Sequence, residues 1–117
     1  MTPLAEKENE KYDFLRGSLD LLILKVVNHG PIHGYAVSQR IQQISRDFFQ
    51  VPQGSLYPAL HRLEDRGWIE AEWKISETGR EAKFYALTRK GQKQLEAEIA
   101  HWDRFSGAVA LILRTTE

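Results

Sequence analysis

The spacing of apolar residues changes twice along this chain of 117 residues. Apolar residues recur every three or four positions up to about residue 67, alternate with polar residues over 68–75, and return to helical spacing after residue 87. A period of three to four indicates helices that bury one face, and a period of two indicates a half-buried strand. The pattern therefore predicts several helices, one hairpin and a final helix, in a chain of single-domain size.

Three short helices are predicted before the hairpin. Ser18 is a suitable N-cap for the first helix, which carries the apolar residues of 19–27, and the sequence Asn-His-Gly-Pro at 28–31 ends it. The second helix opens at Gly34. Its predicted inward residues are Tyr35, Val37, Ile41 and Ile44.

The third helix is predicted to begin near Ser55 and to end at Gly67. This start would place Pro58 in the first turn, where a proline removes no intrahelical donor. The predicted inward residues are Leu56, Leu60 and Leu63.

The hairpin and the last helix complete the predicted order. The strands cover 68–75 and 83–87 around a turn at 76–79, and Thr88 is placed to cap a helix from residue 89 to about 113. Such a helix would be on the order of 37 Å long, which is too long for so small a domain to cover. Its apolar stripe, a predicted dimerisation surface, consists of Leu95, Ile99, Trp102, Phe105, Val109 and Ile112.

Composition excludes several classes of protein. The chain has no cysteine, so it has no disulfide, no thiolate nucleophile and no cysteine-ligated zinc. Its most apolar stretch, 19–27, contains Asp20 and Lys25 and is far shorter than the roughly 20 residues of a membrane span. The first ten residues are mostly polar and have no signal core. We therefore expect a soluble cytoplasmic protein that does not bind a membrane.

Neither metal binding nor catalysis is predicted. His29 and His33 have the spacing of two ligands on one helical face, but Gly30 and Pro31 interrupt that helix. No second pair of ligands, glycine-rich phosphate loop or nucleophile with its base accompanies them. The expectation is a protein that is not an enzyme and has no cofactor.

Charge does not by itself indicate a nucleic-acid partner. The 16 Lys and Arg residues balance 16 Asp and Glu residues, whereas nucleic-acid-binding domains are often strongly basic. Residues 53–83 carry five basic and six acidic side chains, so no basic segment is hidden in the total. A role in DNA binding must therefore rest on the arrangement of residues.

Three helices followed by a hairpin is the order of a winged helix-turn-helix, in which the third helix enters the major groove and the hairpin forms the wing. The chain also carries a set of residues in characteristic order and spacing: Leu15-Arg16-Gly17-Ser18-Leu19, Gly30-Pro31, His33-Gly34-Tyr35, Gly54-Ser55-Leu56-Tyr57-Pro58, Leu60, Arg62-Leu63-Glu64, Gly67, Arg80, Lys83, Tyr85, Leu87-Thr88 and Gly91. With this set the sequence resembles the PadR-like transcriptional regulators, in particular the branch with one short C-terminal helix.

The resemblance implies a mainly α fold with a small β-hairpin. It divides the chain into a flexible arm (1–13), a winged helix-turn-helix DNA-binding domain (14–88) and a long C-terminal dimerisation helix (89–117). The implied function is a homodimeric repressor that binds a palindromic double-stranded operator. One departure concerns the wing. Relatives usually carry a denser basic cluster after the wing turn, whereas this chain has Glu81 and Ala82 between Arg80 and Lys83.

Eight residues are candidates for DNA contacts: Ser55, Tyr57, His61, Arg62 and Arg66 on the third helix, and Lys74, Arg80 and Lys83 in the wing. The alternative is an ordinary solvated surface, on which Arg62 pairs with an acidic neighbour such as Asp65 and the wing cations balance wing carboxylates. A winged-helix adaptor that binds protein instead of DNA is the main rival function, and the net neutrality of the chain is its support.

Trp102 has two interpretations. On the apolar stripe of the last helix its ordinary role is packing between protomers, because a large aromatic side chain buries much area. The resemblance also implies that an aromatic residue here stacks on a planar hydrophobic effector held between the protomers. Effector release of the repressor is thus a hypothesis that depends on Trp102.

Overall fold

The computed structural model of the protein describes residues 17–116. It is mainly helical with a small antiparallel sheet, as predicted. The predicted arm at 1–13 lies outside the described residues. The elements in chain order are α1 (17–27), β1 (Ile32–His33), α2 (Gly34–Ile44), α3 (Gln53–Asp65), β2 (Ile69–Ile75), β3 (Glu81–Leu87) and α4 (Arg89–Arg114).

The end of α1 is predicted correctly, but its start is not. Gly17 and Ser18 are already helical, so the prediction that Ser18 is the N-cap is wrong. At the other end, the amide of Gly30 bonds the carbonyl of Val27, and Gly30 has φ = 131°, a conformation that few other residues adopt. Helix α1 therefore stops where the Asn-His-Gly-Pro sequence predicts.

Helix α2 opens at Gly34 as predicted, with His33 as its N-cap. The His33 Nδ1 accepts a hydrogen bond from the Ala36 amide at 3.3 Å. The predicted inward face is only half right, because Tyr35 and Ile44 are exposed. The residues that α2 buries are Gly34, Val37, Ser38 and Ile41.

Helix α3 begins two residues earlier than predicted, at Gln53. Pro58 consequently lies in the second turn and not in the first, so the carbonyl of Gly54 receives no helical bond from residue 58. Both residues are exposed, and water can satisfy that carbonyl. The predicted core residues Leu56, Leu60 and Leu63 are completely buried, and Gly67, with φ = 76°, ends the helix as predicted.

The hairpin of β2 and β3, which we call the wing, is present as predicted, and a short strand that was not predicted extends it. Strand β1 pairs with β3 and gives the sheet order β1-β3-β2. The predicted half-buried character of the first strand holds only at its base. Ile69 is buried, whereas Trp73 is 63% and Ile75 is 75% exposed, because the wing extends beyond the helices.

Helix α4 starts against the base of the wing and then leaves the domain. Thr88 is its N-cap, as predicted, and the Thr88 hydroxyl accepts a hydrogen bond from the Gly91 amide at 2.9 Å. Leu95 is the last residue of the helix that is buried in the core. The helix is about 39 Å long at 1.5 Å per residue, so most of it extends past the core.

Candidate nucleic-acid interface

The exposed surface of α3 has one outermost line and two flanks. Because Leu56, Ala59, Leu60 and Leu63 face the core, helical geometry places the opposite residues outermost. That outermost line consists of Gly54, Pro58, His61 and Asp65, all of them exposed. Small or short side chains thus mark the N-terminal half of the exposed face, and a carboxylate marks its C-terminal end.

One flank of α3 faces the wing. Its Tyr57 ring lies against the start of α2, where a Cβ on Gly34 would be 3.1 Å from Tyr57 Cε1. Tyr57 is still 37% exposed. On the same flank, Glu64 accepts a hydrogen bond from Lys83 Nζ of the wing at 3.1 Å. This ion pair fixes the wing relative to α3.

The environment of Lys83 favours its charged form. The hydrogen bond to Glu64 is the main reason that the pKa of Lys83 lies above its ordinary value, although desolvation opposes the shift. Its ammonium also lies 5.5 Å from the centroid of the Tyr85 ring. Lys83 is therefore committed to contacts within the domain.

The other flank of α3 faces α1. Here the Arg62 Nη2 donates to the Asp20 Oδ1 of α1, so the acidic partner of Arg62 is Asp20 and not Asp65. Arginine has five N–H donors, the bond to Asp20 uses one on Nη2, and the Arg62 side chain is 44% exposed, so further donors can reach a ligand. On the same flank, the Arg66 guanidinium lies 5.1 Å from the Trp68 ring centroid.

The remaining candidates are distributed unevenly. His61 is exposed at the centre of the outermost line, and Ser55 is partly buried near the start of α3. Lys74 approaches Glu72 at 3.9 Å and lies 5.9 Å from the Phe84 ring, on the face of the wing that is turned away from the core. Arg80 is exposed at the turn and forms no ion pair within residues 17–116. The structure thus brings together the α3 candidates and Lys83, with Lys74 outside that group.

A second concave surface lies between α1, α4 and the segment after α2. This α1–α4 groove has a volume of about 590 Å³, and its apolar lining is Leu21, Phe48, Phe49, Trp102 and Phe105. The polar residues that line it include Asp20, Glu98 and His101. The groove therefore contains the predicted effector residue, Trp102, which is 48% exposed and lies 6.1 Å from the Phe105 ring.

Glu98 was not singled out from the sequence, where it appears as one of many helix carboxylates. Its Oε2 is buried and accepts no hydrogen bond from any described residue. Burial, reinforced by the nearby charge of Asp20, raises the pKa of Glu98 above its ordinary value. A donor brought into the groove would relieve this unfavourable burial of the carboxylate.

No three His, Asp or Glu residues within 17–116 are grouped so that they could hold a metal ion. In the same range no helix is both long and apolar enough to cross a membrane.

Three helices, a paired wing behind α3 and a long terminal helix define the class of winged helix-turn-helix proteins. The PadR-like transcriptional regulator family matches residues 23–97. The chain therefore belongs to the PadR-like family of transcriptional regulators. Members of this family are DNA-binding regulators and not enzymes, which agrees with the prediction made from the sequence.

Solved structures and curated relatives show the same likeness. A PadR-like transcriptional regulator from Bacillus cereus has a TM-score of 0.76 and 32% identity, with 88% of this chain and 98% of that chain covered. A transcriptional regulator from Clostridium thermocellum has a TM-score of 0.80 at 25% identity, with 87% and 99% covered. The negative transcriptional regulator PadR of Bacillus subtilis is 30% identical over 77 residues, which are 66% of this chain and 42% of that protein.

Proposed function

We propose that the protein is a homodimeric repressor that places the α3 helices of two protomers in successive major grooves of a palindromic operator. The observation that carries the proposal is the exposed face of α3, with Tyr57 and Arg62 on its two flanks. The negative regulator PadR is one of its relatives, which supports repression. The proposal includes the division into an arm (1–13), a DNA-binding domain (14–88) and a dimerisation helix (89–117), acting in the cytoplasm.

The shape and charge of α3 favour entry by its N-terminal half. Gly54 and Pro58 carry little side-chain bulk, so the helix backbone can approach the duplex closely. Asp65 at the other end of the outermost line would repel phosphates. In this orientation His61 faces the base edges, and Ser55 and Tyr57 lie near the backbone.

Arg62 is the proposed base-reading residue. Its bond to Asp20 holds the guanidinium on the α1 side of α3 and leaves donors for a guanine edge or a phosphate. Arg66, one turn later on the same flank, is placed to meet the adjoining phosphate. The Asp20 contact is then a restraint on the orientation of Arg62.

Arg62→Ala is expected to weaken operator binding by about 1–3 kcal/mol and to relax preference at one base position. The measurement is a fluorescence titration with duplexes that the wild-type protein has selected from a random pool. Lys25→Ala is the matched control, since Lys25 is an exposed cation of α1 outside the candidate DNA contacts, and it should bind like wild type. If Arg62→Ala binds as tightly as wild type, this docking geometry is wrong. If the wild-type protein selects no duplex, the protein-binding adaptor becomes the better interpretation.

Dimerisation through α4 forms the second part of the proposal. Beyond Leu95 the stripe is exposed along its length, from Ile99 at 38% to Ile112 at 70%. A continuous apolar face of this kind is normally covered by another helix. A second copy that packs along it would also set the distance between the two α3 helices, which must be about 34 Å for two half-sites.

Release by an effector is the third part. Consider a planar hydrophobic compound that stacks on Trp102 and binds better to a dimer whose α3 helices are spaced wrongly for the operator. Such a compound would lower operator affinity, and the size of the effect is set by the ratio of its affinities for the two spacings. The α1–α4 groove supports this role because its lining is aromatic and open.

The effector hypothesis is tested in a variant that keeps Trp102 as its only tryptophan, made by Trp68→Phe and Trp73→Phe. A compound that releases the operator should change the emission of Trp102 over the same concentration range. If no operator-releasing compound changes that emission, Trp102 is only a packing residue.

A further inference from the structure

The inner face of the wing ends in two apolar side chains that nothing in the described chain covers. In the antiparallel register, Trp73 lies opposite Lys83 and Ile75 opposite Glu81, on the same face as the buried residues Ile69 and Tyr85. Ile69 and Tyr85 are buried against the helices, whereas Trp73 and Ile75 extend past them and remain 63% and 75% exposed. Their exposure adds nothing to the stability of the domain.

This face is turned toward the side of the molecule on which α3 lies. Lys83, the cross-strand neighbour of Trp73, is bonded to Glu64 of α3. A duplex that holds α3 in its major groove would therefore present its adjoining backbone and minor groove to Trp73. The opposite face of the wing carries two carboxylates, Glu70 and Glu72, beside Lys74, whereas the inner face carries one, Glu81.

The charges of the wing also argue against a purely electrostatic contact. Lys83 is committed to Glu64, and Lys74 lies on the far face beside Glu72. Arg80 is the remaining wing cation, and its carbonyl accepts a hydrogen bond from the Ser76 amide, so the register places it on the same face as Lys74. A wing that binds DNA with its inner face therefore does so mainly through a large apolar surface.

We propose that Trp73, assisted by Ile75, packs against the deoxyribose walls of the minor groove beside the α3 half-site. Apolar side chains are a known means of contact in the minor groove, and they contribute affinity without releasing counterions. This inference rests on the proposed function, because it requires α3 to be bound in the major groove.

The test compares Trp73→Ala, Trp73→Phe and the control Lys25→Ala on a selected duplex of about 30 bp, between about 50 and 200 mM salt. We expect Trp73→Ala to weaken binding roughly ten-fold, with no change in the slope of log K against log salt. Trp73→Phe should retain most of the affinity, and Lys25→Ala should bind like wild type. Trp73 is exposed, so none of these changes should disturb the fold, which far-ultraviolet circular dichroism checks.

A fluorescence measurement supplies a second readout. In a variant that keeps only Trp73, made by Trp68→Phe and Trp102→Phe, the duplex should shift the emission of Trp73 because water is removed from the ring. The inference is wrong if wild type binds DNA and Trp73→Ala binds equally well. It is also wrong if the slope of log K against log salt for Trp73→Ala is smaller than that of wild type by about one. It is also wrong if Trp73→Ala changes the sedimentation of the free protein, since Trp73 would then serve self-association. If wild type binds no duplex at all, the proposed function fails first.

Discussion

Replacing Ile99 and Val109 together with lysine is expected to convert the protein from a dimer to a monomer. Both side chains lie on the apolar stripe of α4 and are 38% exposed in the single chain. In a dimer, the partner helices would bury four added ammonium groups that have no acidic partners, and each such burial costs several kcal/mol. We expect dimerisation to weaken by at least about 1,000-fold, or about 4 kcal/mol. Sedimentation velocity at micromolar concentration measures the change.

The matched control adds the same charge to the other side of the helix. Helical geometry places Ala100 and Leu111 opposite the stripe, and both are exposed. The variant with Ala100→Lys and Leu111→Lys should remain dimeric and bind the operator normally. The monomeric variant should lose most of its operator affinity, because only a dimer can bind both half-sites of the operator at once. A wild-type protein that sediments as a monomer would contradict this part of the proposal.

Features with a local cause were predicted well from the sequence. The helical cap at Thr88 depends on residues within one turn, and the buried stripe of α3 depends on spacing along one helix. The positive φ of Gly67 likewise follows from a local stop signal. Such features hold whatever the rest of the chain does.

Features that join distant segments were missed. The Arg62–Asp20 pair links residues that are 42 positions apart, and only the packing of α1 against α3 brings them together. Strand β1 has two residues, which is too few to show a period, and it forms because β3 offers it an edge. The exposure of the outer half of β2 was also not predicted, since alternation does not reveal how far the helices extend under a strand.

Charge pairing explains why a DNA-binding fold is compatible with zero net charge. Three of the predicted DNA-contacting cations have a carboxylate partner, namely Arg62 with Asp20, Lys83 with Glu64 and Lys74 with Glu72. Paired cations release fewer counterions when DNA binds, so affinity for unrelated sequences should be low and weakly dependent on salt. Under the proposed function, discrimination then depends on the fit of α3 and the wing to one site.

Gly91→Ala is expected to destabilise the protein by about 3 kcal/mol or more, although alanine is the better helix former. Gly91 is buried where α4 crosses the base of the wing. A Cβ there would overlap the carbonyl oxygen of Trp68 and lie 2.8 Å from Leu87 Cδ1. That carbonyl accepts hydrogen bonds from the Thr88 amide and hydroxyl, so α4 can move away only by breaking them.

The same substitution at Gly107 should have the opposite sign. Gly107 lies in the exposed part of α4, and a Cβ there would meet nothing within 4 Å. Gly107→Ala should therefore stabilise the helix by roughly 0.5–1 kcal/mol through its propensity alone. In thermal unfolding, the midpoint temperature of Gly91→Ala should be lower than that of wild type by roughly 10 °C or more. The midpoint of Gly107→Ala should be unchanged or raised. Equal effects at the two positions would mean that α4 does not start in contact with Trp68.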